Sequence, residues 1–294
     1  MTRLRTNAAD LVAVNIAGRV APARFHPEAM PVGREGHHRL LPGTGGIALG
    51  VHAGDPVDRW VADHLMPGAS IEDANGTPAV AGPLHLLSTI GNRVRDAKGA
   101  TVGVVAGKRG GLAPGFWAPQ LVGVEISNAV AASLMPEDRI VVETVGRGLR
   151  LLDYPDITLI NLSPRLLEAL PLTQTATGLQ CVVSAATAAE VAGAGLGQDS
   201  WIGDLEIADR GDVLGLHFGD LVAFHDIDSA VTRHYAPGSI SIGIVSHGPS
   251  LAPGHGIGVT ILLTGPASRL EAVPGDAGLG RLLIAWSTEM GGSM

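Results

Sequence analysis

Asp63 and His64 in "ADHLMPGAS", Asp226 and Asp228 at the end of "GDLVAFHDID", His247 closing "SISIGIVSHG" and His255 in "PGHGIG" are the side chains most able to do chemistry. If 219–228 is a strand, its period of two puts Asp220, Asp226 and Asp228 on one face and His225 on the other. Two carboxylates projecting the same way can hold a divalent ion. They can also divide into proton donor and acceptor, because neighbouring acids push each other's pKa apart. Neutral imidazole is a frequent metal ligand and shuttles protons near pH 7. His64, His247 and His255 are therefore candidate catalytic groups, and Asp63, Asp226 and Asp228 candidate metal ligands. The competing reading is structural: acids hydrate the rim of a strand, and histidines in turns face solvent. The spacing follows no HExxH-type signature, so the sequence names no metal.

Lys98 in "DAKGA" and Lys108 in "AGKRGG" are the only two lysines among twenty basic residues. A desolvated lysine can lose its proton and act as base or nucleophile, which arginine cannot, so both are candidates. The alternative is chance in an arginine-rich composition. The glycines of "GKRGG" could bring main-chain amides to an anion, but the order is not GxxxxGK[ST]. "GAGLGQ" follows a predicted helix instead of opening one, unlike a dinucleotide loop. No nucleotide cofactor is expected.

The elements that must carry these groups are mostly strands. "LVAVNIAGRV", "GATVGVVAGKRGG", "EDRIVVETVG", "DITLINLS", "DLEIAD", "GDLVAFHDID", "SISIGIVSHG" and "GVTILLTGP" are apolar or β-branched runs between glycine turns. Residues 79–112 show no helical period. Helices are predicted at "SPRLLEAL", with Ser163 as cap and Pro164 in the first turn, and at "SAATAAEVAGAG". "GLGRLLIAWSTEM" fits either state. The expected fold is β-rich α+β, with many short strands, Gly/Pro turns and few helices. Two strand-rich halves pack together: an N-terminal β-rich domain over 1–165 and a C-terminal α+β domain over 166–294.

Composition narrows the class. The chain has 294 residues, 46% hydrophobic and 16% charged, with 41 glycines, 19 prolines and only ten aromatics, so Ala, Val, Leu and Ile fill the core. No apolar run reaches the roughly 20 residues that span a bilayer. A net charge of −8 and the lack of a basic stripe argue against nucleic acid. The lone cysteine, Cys181 in "LQCVVS", allows no internal disulfide and reads as a buried thiol. The N-terminus lacks a secretory pattern, and a cytoplasmic location is expected. The expected partners are a small-molecule substrate and copies of the same chain in a homo-oligomer.

Taken together, "LPGTGGI", "ADHLMPGAS", "IGN" followed by "DAKGATVGVVAGKRGG", "LINLSP", "VAGAGLG" and "LHFGDLVAFHDIDSAVTRHYAPGSISIGIVSHGPSLAPGHGIGVTILLTGP" resemble the bacterial and archaeal family labelled domain of unknown function 4438. These motifs cover residues of about 40 to 266. Where that pattern has His-Gly-Gly after its glycine-lysine, this chain has Arg109-Gly110-Gly111. The resemblance implies the fold and the motif positions. The Gly/Asp-rich short strands are also similar in composition to the acetamidase/formamidase group of metal-dependent amide hydrolases.

The leading expectation is a small-molecule hydrolase of a C–N bond in an amide, lactam or cyclic imide, using a divalent metal ion. His64, His247 or His255 would move the proton, and Lys108 or the glycine-turn amides would steady the oxyanion. A metal-free isomerase, racemase or lyase with Lys98 or Lys108 as base, and a non-catalytic binding or assembly protein, are the alternatives.

Overall fold

The strand-forming runs of the first half meet edge to edge until the sheet closes. In the computed structural model, residues 4–24, 41–74, 82–111, 119–208, 215–250 and 254–289 are described. Strands β1 (Val14–Val20), β2 (Ile47–Ala48), β3 (Gly68–Asp73), β4 (Arg93–Asp96), β5 (Thr101–Arg109), β6 (Leu121–Ile126) and β7 (Arg139–Thr144) form one sheet. Its order is β1-β7-β4-β5-β6-β3-β2, and β1 also pairs with β3, so the sheet becomes a barrel with β2 outside the ring. Closure satisfies strand edges that would otherwise stand open.

The second half builds a further sheet from β8 (Thr158–Leu159), β11 (Ala185–Thr187), β12 (Leu205–Ala208), β13 (Leu221–Asp228), β14 (His234–His247) and β15 (Gly256–Pro266). Its path is β11-β13-β14-β15-β12, with β8 on β15. A small sheet holds β9 (Leu172–Gln174), β10 (Leu179–Val183) and β16 (Leu270–Pro274). Among the described residues, four short helices accompany them: α1 (Pro83–Leu87), α2 (Asn128–Ala131), α3 (Pro164–Ala169) and α4 (Gly280–Ser287). With 43% strand and 12% helix, the fold is the β-rich α+β class expected. Among the described residues no helix is long and apolar enough to cross a membrane.

The two halves are joined through β5, which lies against β14 and β15 while α4 returns to pack on β5 and β6. Close approach requires glycine at 107, where a Cβ would sit 2.4 Å from the Ser246 Cβ. Polar groups then stitch the strands: the Lys108 amide donates to Thr260 Oγ1 at 2.9 Å, and Ser246 Oγ donates to the Lys108 carbonyl at 3.3 Å. Covered on both sides, β5 is buried from Val102 to Arg109. Successive side chains point to opposite faces, so Lys108 and Arg109 are both buried but in different places. One apolar cluster runs through both halves, from Val20 and Val104 to Leu262 and Leu283.

The predicted helix at "SPRLLEAL" is α3, with Ser163 Oγ accepting from the Leu166 amide and Pro164 at its first position. The predicted helix at "SAATAAEVAGAG" is instead β11 followed by a 3-10 turn over Ala189–Val191. Helix propensity is a weak preference even for alanine, the strongest helix former, and parallel pairing of Ala185–Thr187 with Val222–Phe224 outweighs it. Between residues 79 and 112 the five-residue α1 is too short to leave a period. "GLGRLLIAWSTEM" resolves as α4.

Cys181 is fully buried, and burial pushes its thiol up to about 12. The native chain should therefore not react with a disulfide reagent at pH 8, and should release one equivalent after denaturation. Fast native labelling would contradict the packing of β10.

Candidate metal centre

A row of paired residues crosses three strands: Glu206 on β12 faces Gly258 on β15, which faces His247 at the end of β14. Because position 258 has no side chain, the His247 ring reaches over it towards Asp204, just before β12. A Cβ at 258 would lie 2.0 Å from His247 Nε2 and 2.6 Å from Asp204 Oδ2. His255 immediately precedes β15. His64 comes from the first half, its amide donating to Pro249 O at 3.1 Å, while the Gly248 amide donates to Leu65 O at 2.8 Å. His64 has φ 51, a left-handed conformation that costs a non-glycine residue about 1 kcal/mol or more. That strain turns a buried imidazole inward.

Three imidazoles converge on one carboxylate oxygen. From Glu206 Oε1 it is 3.0 Å to His255 Nδ1, 3.7 Å to His64 Nε2 and 4.0 Å to His247 Nε2. His64 Nε2 and His255 Nδ1 are 3.3 Å apart, and His247 Nε2 is 2.8 Å from Asp204 Oδ2. Ligand atoms about 2.1 Å from a common ion, at 90° to 110° to each other, are separated by roughly 3.0–3.4 Å. The His255–Glu206 and His64–His255 separations fall in that range, while His64 and His247 would have to close slightly on Glu206 to reach it. Two sets, His64/Glu206/His255 and Asp204/Glu206/His247, each bring their ligand atoms within 4.8 Å.

Outer partners fix two of the rings. His64 Nδ1 lies 3.0 Å from Asp63 Oδ2, and Asp63 Oδ1 accepts from Ser250 Oγ at 2.8 Å. His247 Nδ1 lies 2.8 Å from the Gly248 carbonyl, which can only accept, so that nitrogen carries the hydrogen. His247 Nε2 then faces the Asp204 carboxylate with its lone pair unless it gains a second proton or shares a cation. This is the arrangement in which an orienting acceptor behind a histidine aims it at a metal.

The electrostatics press the same way. Asp63, Asp204 and Glu206 lie in the field of Arg109, and Asp204 also in that of the buried Arg233, so the carboxylates outnumber the guanidiniums when the rings are neutral. Burial opposes ionisation of Glu206, but the His255 hydrogen bond and the nearby histidine charges hold it well below the usual carboxylate range. Asp63 is likewise held low, against burial, by the hydrogen bond and charge of His64. Burial works against a charged His247, yet Asp204 and Glu206 raise its pKa; the Glu206 hydrogen bond raises that of His255. The site attracts positive charge, as protons or as one divalent ion.

The structure brings together His64, His247, His255 and Asp63, from segments almost 200 residues apart. It leaves the other sequence candidates elsewhere. Asp226 and Asp228 lie at the hairpin end of β14, opposite His247: Asp226 Oδ1 accepts from the Gly238 amide and Asp228 Oδ1 from the Ala230 amide. A bulge between His225 and Ile227, with Asp226 at φ 58, breaks the assumed alternation there. Lys98 sits in the exposed β4–β5 turn, its amide bonded to Asp96. Lys108 is fully buried, its Nζ donating to Asn161 Oδ1 at 2.8 Å and Trp201 O at 3.2 Å. Asp63 stands behind His64 as an orienting partner. Sequence reasoning did not single out Asp204 and Glu206; their signal was two acids at i and i+2 entering a strand that pairs with the glycine-rich start of β15.

Gly258→Ala should force the His247 ring off Asp204, costing about 1–3 kcal/mol in urea unfolding and reducing divalent-ion uptake. A variant as stable as the parent, with unchanged uptake, would show that the close approach is not needed.

The chain matches a family whose description names no reaction. Among curated proteins, none matches the chain. A solved structure titled "Crystal structure of TM1086" is 34% identical over 96% of this chain and 100% of that one, with a TM-score of 0.86. Residues 30–168 match the domain described as "Domain of unknown function (DUF4438), N-terminal", and residues 169–278 match its C-terminal counterpart. The chain belongs to the DUF4438 family.

Proposed function

We propose that the protein is a hydrolase of a C–N bond in a small amide, lactam or cyclic imide, dependent on one divalent ion. The supporting observation is the His247 ring, its outer nitrogen fixed by a carbonyl and its inner nitrogen turned to a carboxylate within a cluster short of positive charge. His64 Nε2, His255 Nδ1 and Glu206 Oε1 would hold the ion, and His247 Nε2, which groups with the same glutamate and Asp204, would complete the set. A mixed nitrogen and oxygen set of this kind suits zinc, manganese, iron, cobalt or nickel better than magnesium or calcium. One ion offsets the excess of carboxylates over guanidiniums more closely than two would.

Such an ion supplies Lewis acidity, lowering the pKa of a water molecule and polarising a carbonyl. The chain's own residues do the rest. Asp63 and the Gly248 carbonyl keep His64 and His247 in their orientations. Asp204, 2.8 Å from His247, takes a proton from the attacking water, whose oxygen adds to the carbonyl carbon. As the C–N bond breaks, that proton passes to the leaving nitrogen. His255, with 22% of its side chain exposed, is the imidazole nearest to solvent exchange. A lysine-based isomerase receives less support: Lys108 is enclosed and already bonded, and Lys98 lies on a surface turn.

Protein purified without added metal should carry close to one transition-metal ion per chain by elemental analysis. If ion is present at about 100 times its Kd, chelation should remove roughly 2.7 kcal/mol of stability. Glu206→Gln should lower occupancy at least tenfold and abolish amide hydrolysis. An ion-free parent whose melting temperature ignores chelator would sink the reading and favour a non-catalytic binding protein.

A further inference from the structure

Arg109 is the group in this cluster that the hydrolytic reading does not use. It ends β5, where Arg109 pairs with Leu121, and the following Gly110 amide donates to Asp204 Oδ1 at 3.2 Å. The residue is only 4% exposed, yet its Nη1 is buried without a partner. Burial lowers its pKa, while Glu206, Asp204 and Asp63 act in the opposite direction, so the guanidinium lies in their field. Among the described residues it closes no ion pair with any of them. A buried guanidinium with an unfilled donor is costly, and its planar fork fits a carboxylate through two parallel hydrogen bonds.

We infer that Arg109 anchors a carboxylate on the substrate, so that the substrate is an anionic amide, lactam or imide whose cleavable C–N group lies close to its carboxylate. The inference rests on the metal-dependent reading above. Without an ion, Asp63, Asp204 and Glu206 outweigh the guanidiniums of Arg109 and Arg233 and repel an anion. With one divalent ion that excess of negative charge is offset, and the unpartnered Nη1 donor decides the preference. Anion binding is therefore coupled to ion loading. A role in charge balance alone predicts something different: replacing Arg109 would change ion affinity but create no difference between charged and neutral ligands.

The test uses the full chain loaded with cobalt(II), whose absorption reports uptake, titrated with N-acetylglycine and with the neutral N-acetylglycinamide. The parent should bind the carboxylate about tenfold more tightly than the amide, as one charge-assisted hydrogen bond implies. Arg109→Met and Arg109→Lys should both take up cobalt and lose that preference; if the methionine variant does not fold, the lysine variant decides. Cobalt uptake by the parent with equal binding of the two probes, or with no binding of either, overturns the anchor and leaves the metal centre standing. So does a preference that persists in the folded variants. Failure of the parent to take up cobalt removes the metal reading itself, and the anchor with it.

Discussion

Enclosing Asp63, Asp204 and Glu206 with fewer guanidiniums than carboxylates is the constraint on which the site depends. Asp63, Asp204 and Glu206 each lose most of their hydration, and Arg109, with Arg233 acting on Asp204, does not offset all three. The remaining demand for positive charge falls on three imidazoles. Two of these have their outer nitrogens tied to acceptors, Asp63 and the Gly248 carbonyl, so their inner nitrogens are turned to the carboxylates. A cation or added protons must reconcile those facing acceptors.

The fold supplies the rigidity that such an arrangement needs. Glu206, Gly258 and His247 stand in one row across β12, β15 and β14, and the missing side chain at 258 is what brings the ring to Asp204. His64 crosses from the other half in a left-handed conformation, held by the hydrogen bond its backbone N–H donates to Pro249 O. The β5 junction, tight enough to require Gly107 against Ser246, fixes the distance between the halves. A shift of one residue in either strand pairing would turn Glu206 or His247 to the opposite face.

Much of the fold was legible because strand pattern and turn chemistry are local. The β-branched runs became β5, β7, β13, β14 and β15, and Ser163-Pro164 did open α3. Histidines beside glycine turns were legible as candidates for the same reason. Asp226 and Asp228 misled because a strict period of two cannot anticipate a bulge, and the bulge gives Asp226 a local amide to bind. Asp204 and Glu206 look in sequence like ordinary acids at a strand start. Their importance comes from register with β15, a long-range property. Burial on both faces of β5 is equally non-local, and it encloses Lys108, a group that sequence alone presents as a free base.

The central claim is that one divalent ion lies between His64, His247, His255 and Glu206. Anomalous diffraction from crystals of the full chain, at the absorption edge of the metal found by elemental analysis, tests it directly. The account predicts one peak per chain, about 2.0–2.3 Å from Nε2 of His64 and His247, Nδ1 of His255 and Oε1 of Glu206. A cluster without a peak, with His247 Nε2 still 2.8 Å from Asp204 Oδ2, would contradict it and assign the balancing charge to protons.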